Sequence, residues 1–118
     1  MRSSEQKTIA SCRCSRIRML NDRLRQYNEG GRIVITRGVM ALGKIALLSI
    51  LRDVAGFEGF DADNDPHEEH DMGSLESEGT SLLWKIDYYD LALQFASPDP
   101  SDPAVTARVL TIMLAEEY

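Results

Sequence analysis

Apolar side chains in the first half of the chain recur at helical spacing. Between residues 17 and 27 they fall three or four positions apart, with arginines on most other faces, which predicts an amphipathic helix that ends at residues 28–31. These apolar positions are Ile17, Leu20, Leu24 and Tyr27. A second helix is predicted to begin after Gly38 and to end near Gly56. Its apolar positions are so closely spaced that we expect burial on much of its circumference. They are Leu42, Ile45, Leu47, Leu48, Ile50, Leu51 and Val54.

Other stretches have the period of two that is typical of strands. Residues 32–37, RIVITR, form a β-branched run, and residues 72–78 lead into a predicted hairpin turn at Glu78 and Gly79. The clearest alternation lies in SLLWKIDYY, residues 81–89, and it predicts one inward face. That face consists of Leu82, Trp84, Ile86 and Tyr88.

The C-terminal segment, residues 104–118, is ambiguous between helix and strand. Asp102 followed by Pro103 is typical of a helix start, whereas the apolar run VLTIML at residues 109–114 favours a central strand, which is the interpretation we prefer. The predicted fold class is α+β: two helices packed on a small antiparallel β-sheet. A single domain, residues 16–118, follows a basic N-terminal extension, residues 1–15, that we expect to fray.

The composition is that of an ordinary globular domain. Of 118 residues, 43% are hydrophobic and 27% are charged, which is enough apolar material for one core. No apolar run reaches the roughly 18 residues that a membrane span needs, and the N-terminus lacks the apolar core of a secretory signal. We therefore expect a cytoplasmic protein that does not bind membranes.

The net charge of −6 hides a division along the chain. Residues 1–52 carry eleven Lys or Arg and three acidic side chains, whereas residues 53–84 carry ten acidic side chains and no Lys or Arg. We expect the basic half to contact the acidic stretch, either within one chain or across a homodimer. Nucleic-acid binding by the basic half is the weaker hypothesis, because the overall charge repels a polyanion. Its candidate residues are Arg16, Arg18, Arg23 and Arg25.

The acidic loop, residues 57–73, contains the sequence FDADNDPHEEHDMG. Its alternating aspartates resemble the first half of a calcium-binding EF-hand, but Pro66 occupies the position of the required glycine and Met72 that of the bidentate glutamate. Carboxylate and imidazole side chains together could instead hold zinc or manganese. The candidate ligands are Asp61, Asp63, Asp65, His67, His70 and Asp71. We expect no cofactor, with a divalent metal as the alternative.

Cys12 and Cys14 are too close in sequence for an unstrained disulfide. With His67 and His70 they could supply four zinc ligands, but both spacings are shorter than those usual in zinc sites. Two free thiols are the favoured interpretation.

The acidic loop also has an interpretation without a metal. Asp and Asn side chains stabilise turns through the backbone, and Phe57 and Phe60 are predicted to anchor the start of the loop to the core. The carboxylates repel one another, so a basic partner, the arginines of the first helix or a cation should neutralise part of the charge. Candidate partner-binding residues are Asp61, Asp63, Asp65, Glu68, Glu69, Asp71, Asp87 and Tyr89. No catalytic residue stands out, because carboxylates occur throughout the loop.

Four stretches, taken in order, resemble one family: GGRIVITRGVMALG, FDADNDPHEEHDMGSLE, LLWKIDYYD and SPDPSDPAVTARVLTIMLAEEY. The family consists of small alphaproteobacterial proteins catalogued as domain of unknown function three-seven-six-eight, common on plasmids and other mobile DNA. The resemblance runs from about Leu20 to Tyr118 and assigns no residue roles. It implies an accessory factor that binds and blocks host machinery, since an acidic face can occupy a basic groove meant for nucleic acid.

The leading hypothesis is therefore a small acidic non-enzymatic binding protein. It would act as an inhibitor or regulator of a host nucleic-acid or defence protein that has a basic surface. The alternative is a divalent-metal-binding protein or metal-dependent hydrolase that uses the acidic loop. A second alternative is a DNA-binding regulator that uses the first helix.

Overall fold

The computed structural model describes the backbone of residues 4–118 and the side chains of residues 13–118. Within these residues three helices, four strands and a C-terminal 3₁₀ turn follow one another. The helices are α1 (Ser4–Tyr27), α2 (Arg37–Met40) and α3 (Lys44–Ala55); the strands are β1 (Arg32–Ile35), β2 (Met72–Ser77), β3 (Thr80–Tyr89) and β4 (Ala107–Leu114); the turn is Ala115–Glu117. The segment predicted as an N-terminal extension is part of α1 from Ser4 onward.

The four strands form one sheet in the order β1-β4-β3-β2. β3 pairs antiparallel with β2 and with β4, whereas β1 pairs parallel with β4, from Arg32 opposite Val109 to Ile35 opposite Ile112. The α+β class is confirmed, but the sheet is mixed rather than purely antiparallel. A two-residue hairpin enforces antiparallel pairing only between β2 and β3. Most of the chain separates β1 from β4, so local sequence left their relative direction open.

The strand predictions at the hairpin and at the C-terminus are confirmed. Glu78 and Gly79 have positive φ angles, 50° and 83°, as a type I′ turn between twisted antiparallel strands requires. Residues 107–114 form β4 rather than a helix. On the predicted inward face of β3, Trp84 is completely buried and Tyr88 is half-buried.

The second helix predicted from the sequence is divided in two. α2 ends at Met40, and α3 begins after Gly43, whose φ of 96° suits glycine and interrupts the helix. Burial on much of the circumference of α3 is also wrong, because Ile50 is buried whereas Ile45 is 84% exposed and Leu48 is 60% exposed. α3 contacts α1, α2 and β2, and these neighbours leave Ile45 and Leu48 uncovered. A wide apolar face in the sequence of a helix does not determine how much of that face packs against other elements.

The core lies between the helices and one face of the sheet. Its buried cluster consists of Leu24, Val39, Ile50, Val54, Leu82, Trp84, Ile86, Leu110 and Ile112. Burial of such side chains is the main contribution to the stability of a domain of this size. The acidic loop connects α3 to β2, so it leaves this core and returns to it.

Candidate functional site

The acidic loop is attached to the core at both ends through Trp84. Phe57 and Phe60, near its start, pack edge-on against the indole, with ring centroids 5.6 Å and 6.0 Å from that of Trp84. Gly73, at its end, lies so close that a Cβ atom would stand 2.6 Å from Trp84 Nε1. The predicted anchoring by the two phenylalanines is confirmed. Aromatic contacts therefore fix where the loop leaves and rejoins the fold.

The first half of the loop is a turn stabilised by its own side chains. The Asp61 carboxylate accepts hydrogen bonds from the backbone N–H groups of Asp63 and Asn64, both at 2.9 Å. The Asn64 side chain in turn accepts a hydrogen bond from the N–H of Asp61 at 3.0 Å. Asp61 therefore orders the backbone, as Asp and Asn commonly do in turns. Asp61 and Asp63 are both exposed, so they also present negative charge to solvent.

Asp65 is buried, with 5% of its surface exposed. Its Oδ1 accepts hydrogen bonds from the N–H groups of Glu69 and His70, each at 3.1 Å. Two backbone donors would lose their partner if this carboxylate were removed. The partner-contact role of Asp65 stays a prediction; in the structure its side chain is buried and already accepts two hydrogen bonds. It belongs to the framework of the loop.

His70 connects the loop to α1. Its Nδ1 lies 2.9 Å from Asp22 Oδ1, and its Nε2 lies 3.8 Å from Asp65 Oδ2. The imidazole also stacks on the ring of Phe60, with centroids 3.8 Å apart. One histidine thus joins the helix, the start of the loop and its buried aspartate.

Arg25 of α1 is buried and binds the backbone at the end of α3. Its Nη1 donates to the carbonyl oxygens of Val54, Ala55 and Phe57 at 3.1, 2.8 and 3.1 Å. The guanidinium carbon lies 5.4 Å from the ring centroid of Phe60. A cation at a helix C-terminus satisfies free carbonyls and complements the helix dipole. Arg25 is therefore a structural group with only 4% of its surface exposed, and its role as a nucleic-acid contact stays a prediction.

The other candidate arginines of α1 lie nearer the surface. Arg18 is half-buried, and its Nη1 donates to the backbone carbonyl of Glu68 at 3.1 Å. Arg16 and Arg23 are exposed, and Arg23 pairs with Glu29 at 3.2 Å. The expected contact between the basic half and the acidic stretch therefore exists within one chain. Within the described side chains it runs mainly through backbone carbonyls and Asp22, and the loop carboxylates Asp61, Asp63 and Glu68 take no part in an ion pair.

A buried polar network behind the loop was not predicted from the sequence. Asn21 is completely buried; its Nδ2 donates to the Glu69 carbonyl at 2.9 Å and to Tyr88 Oη at 2.8 Å. Its Oδ1 accepts from Arg108 Nε at 2.6 Å, and the Tyr88 hydroxyl donates to Glu69 Oε1 at 2.9 Å. Arg108 also donates to the carbonyl of Pro100. Burial raises the pKa of Tyr88 and lowers that of Arg108.

Two signals in the sequence could have indicated this network. Asn21 falls on the apolar stripe of the first helix, between Ile17 and Leu24, where a polar residue needs a buried partner. Arg108 occupies an inward position of β4, in register with Tyr88. Because one helix and two strands contribute to the network, only the tertiary structure shows that these residues meet.

A cleft of about 390 Å³ opens between α1 and the acidic loop. Its walls are Arg18, Phe60, Asp61, Ala62, Asp65, Pro66, Glu68 and His70. Exposed carboxylates of Asp61 and Glu68 border it. The cleft is thus an acidic concavity with a fixed aromatic wall, formed by residues that the sequence had already singled out.

The remaining candidates are distributed on both sides of the sheet. Asp71 is half-buried, and burial together with the neighbouring Glu69 carboxylate raises the pKa of Asp71. Asp87 and Tyr89 alternate with the inward residue Tyr88, so they belong to the opposite face of β3 from the helices. Asp87 binds Lys85 at 2.7 Å, which raises the pKa of Lys85. The structure therefore does not bring Asp87 and Tyr89 to the loop surface.

The predicted metal ligands are only partly assembled. Asp65 and His70 approach each other, whereas the candidates Asp61, Asp63 and His67 are exposed. Among the residues whose side chains are described, no group of three or more His, Cys, Asp or Glu is placed to hold a metal ion. Cys14 is a free, half-buried thiol. Cys12 lies outside the side chains described, so the Cys-x-Cys hypothesis stays a prediction.

The fold and the site together define an α+β domain with an acidic loop fastened by arginines and aromatic rings. The sequence model of a family described as "protein of unknown function (DUF3768)" matches residues 35–117. The chain belongs to this family, and the family prediction is confirmed. The match includes the acidic loop and the whole sheet except the first residues of β1, and it begins after α1.

Two further comparisons gave no significant match, neither to a curated protein nor to a solved structure. Within the described part of the chain, none of the helices combines the length and the apolar character needed to cross a bilayer.

Proposed function

We propose that this protein is a non-enzymatic binding protein whose acidic loop docks onto the basic surface of a partner protein. One observation carries the proposal: α1 fastens the loop through backbone groups. Arg25 donates to the carbonyl of Phe57 and Arg18 to that of Glu68. The arginines thereby hold the loop in place while leaving its surface carboxylates unneutralised. Asp61, Asp63 and Glu68 present that charge to solvent.

The shape of the loop supports the proposal as well. Asp61 closes a turn, Asp65 caps two backbone N–H groups, and His70 stacks on Phe60. A surface that is already ordered loses little conformational entropy on binding, so more of the interaction energy appears as affinity. An acidic surface held in one shape is suited to a partner whose basic side chains are equally fixed.

The partner class follows from the charge. Carboxylates at this density offer lysine and arginine side chains the same kind of interaction as phosphates do. A nucleic-acid-binding protein, including one that serves in host defence, carries such a basic groove. The protein would then act as an inhibitor or regulator that occupies the groove and excludes the nucleic acid, in the manner of accessory factors carried on mobile DNA.

The proposal is tested with a nonaarginine peptide as the basic probe. Two double variants with the same change in net charge are compared by fluorescence anisotropy over a range of salt concentrations. Asp63→Lys with Glu68→Lys alters the loop at two exposed carboxylates, whereas Glu29→Lys with Glu116→Lys alters exposed positions elsewhere. Asp61 and Asp65 are left intact because their carboxylates order the backbone.

We expect the loop variant to weaken binding by about tenfold and to flatten its salt dependence, since counterion release scales with the number of charges engaged. The control variant should change binding by less than about threefold, the share that net charge alone contributes. Equal losses in both variants would show that the peptide senses only the overall charge, and the loop would no longer be the proposed docking surface.

One observation favours metal binding as a second candidate function. Asp65 Oδ2 and His70 Nε2 face each other at 3.8 Å beside the cleft, and this donor pair suits zinc or manganese. Elemental analysis of protein purified without chelator, with thermal melts in the presence and absence of chelator, tests it. A stoichiometric ion whose removal lowers the melting temperature would favour this candidate and reopen the hydrolase hypothesis.

A further inference from the structure

The surface formed by α2 and α3 carries exposed apolar side chains that the core does not use. Met40 is 57% exposed, Leu42 38%, Ile45 84% and Leu48 60%. We call these four residues the α2–α3 apolar patch. Single exposed apolar residues are common, but neighbouring ones on one helix and the preceding corner are typical of interaction sites.

The patch is held in a defined shape. Val39 of α2 is completely buried, and Thr36 caps the start of that helix. At the corner between the helices, the N–H of Leu42 donates to the Val39 carbonyl at 3.1 Å and the N–H of Gly43 to the Met40 carbonyl at 3.2 Å. The exposed side chains therefore project from an ordered corner, which lowers the entropic cost of docking.

The border of the patch is basic. Residues 37–52 contain Arg37, Lys44 and Arg52, all exposed, and no acidic side chain. Two acidic side chains contact this region: Glu117 accepts from Thr36 Oγ1 at 2.7 Å, and Asp53 accepts from Ser77 Oγ at 3.0 Å. Asp53 Oδ1 also lies 3.9 Å from Arg52 Nε, so it offsets part of the charge of Arg52, whereas Arg37 and Lys44 keep theirs. The patch thus joins an apolar centre to positive charge, the reverse of the acidic loop.

We propose that the α2–α3 apolar patch binds an amphipathic helix of a partner protein, in which carboxylates flank an apolar stripe. Ile45, Leu48 and Arg52 are spaced three and four residues apart, so they form a ridge along α3 of the kind that packs into the groove of a second helix. Charge complementarity at the border selects a partner rich in Glu or Asp. This site lies outside the acidic loop and does not depend on the function proposed for it.

The charges also favour an acidic partner helix over two other occupants of the patch, a second copy of the chain and an anionic membrane. A second copy that used the same patch would place basic borders opposite each other, which costs free energy. An anionic membrane would meet the net charge of −6 and the nine carboxylates of residues 56–84, which follow α3 in the sequence. A carboxylate-bearing helix contacts only the patch and its basic border, so it meets less of this repulsion than an extended anionic membrane does.

The test uses a synthetic 18-residue peptide with leucines at helical spacing and glutamates on the flanking positions, titrated into the ¹⁵N-labelled full chain. A second peptide has lysine at every glutamate position. The test variant is Ile45→Ser with Leu48→Ser, and its matched control is Leu91→Ser with Phe95→Ser, which removes equally exposed apolar side chains elsewhere. Light scattering and flotation with phosphatidylglycerol vesicles accompany the titration.

We expect the glutamate peptide to shift amide resonances within residues 37–52, and its dissociation constant to rise about tenfold in the test variant and to stay unchanged in the control. The lysine peptide should bind about tenfold more weakly than the glutamate peptide. The proposal is overturned by absent shifts at the patch or by equal binding of both peptides. It is also overturned if the test variant abolishes a dimer, which assigns the patch to a second copy, or abolishes vesicle binding, which assigns it to a membrane.

Discussion

The imidazole of His70 lies flat against the phenyl ring of Phe60, with centroids 3.8 Å apart and planes only 4° from parallel. Phe60 lies near the start of the acidic loop and His70 near its end, so this stack closes the loop upon itself. The bond from His70 Nδ1 to Asp22 then fastens the closed loop to α1. The shape of the acidic surface therefore depends on a contact between two residues that are ten positions apart.

Replacing His70 by alanine should destabilise the protein because it removes both the stack and the contact to Asp22. We expect a loss of about 2 kcal/mol in the free energy of unfolding, the combined size of an aromatic pair and a half-buried hydrogen bond. Urea unfolding followed by tryptophan fluorescence measures the loss. His67→Ala, at an exposed position of the same loop, should stay within about 0.5 kcal/mol of the wild type. Equal effects of the two substitutions would contradict the structural role of His70.

Asn21→Ala should be among the most destabilising substitutions in α1. It leaves Arg108 Nε and the Glu69 carbonyl without the buried partner that Asn21 supplies. We expect a loss of about 3 kcal/mol, since a buried charged donor is more costly to leave unpaired than a neutral one. Gln26→Ala, at an exposed position of the same helix, is the control for helix propensity. Equilibrium unfolding in urea measures the free energy of unfolding of both variants. Equal losses in the two variants would contradict the contribution of the network.

Asp71→Asn should stabilise the protein at neutral pH. Burial and the Glu69 carboxylate raise the pKa of Asp71 in the folded state. The folded state therefore holds this proton more tightly than the unfolded chain, and stability falls as the pH rises from about 4 through the raised pKa. Asparagine does not ionise, so the variant does not lose this stability. Its free energy of unfolding should therefore exceed that of the wild type increasingly over that pH interval and equal it in acid. Urea unfolding midpoints of the variant and the wild type, measured across this pH interval, test the prediction. A difference between the two midpoints that does not change with pH would contradict it.

Gly73→Ala should disturb the point where the loop rejoins the sheet. An added Cβ would stand 2.6 Å from Trp84 Nε1 and 2.8 Å from the ring of Phe57. We expect a loss of about 2 kcal/mol from overpacking, together with a changed fluorescence of Trp84. Gly56→Ala is the control, because its nearest neighbour would be at 3.5 Å and its φ of −87° suits any residue. Unfolding curves of the two variants should differ clearly.

Local patterns in the sequence were enough for the strands and for the anchors of the loop. The alternation that places Trp84 and Ile86 inward, the turn at Glu78 and Gly79, and the aromatic side chains of Phe57 and Phe60 all depend on a few neighbouring residues. Such features follow from side-chain periodicity and turn chemistry, which act over short distances along the chain. The sequence therefore identified the acidic loop and its aromatic anchors, but it did not predict the contacts that hold the loop in one shape.

Tertiary structure decided the features that depend on neighbours distant in sequence. The parallel pairing of β1 with β4, the exposure of Ile45 and the burial of Asp65 each depend on which segment packs beside the residue. Arg25 and Asp65 look like surface charges in the sequence, yet backbone groups make their burial tolerable. Those around Arg25 come from the distant end of α3, whereas those around Asp65 come from its own loop. Periodicity along a chain determines which residues share a face, whereas the partners of that face are determined only when the distant segments pack together.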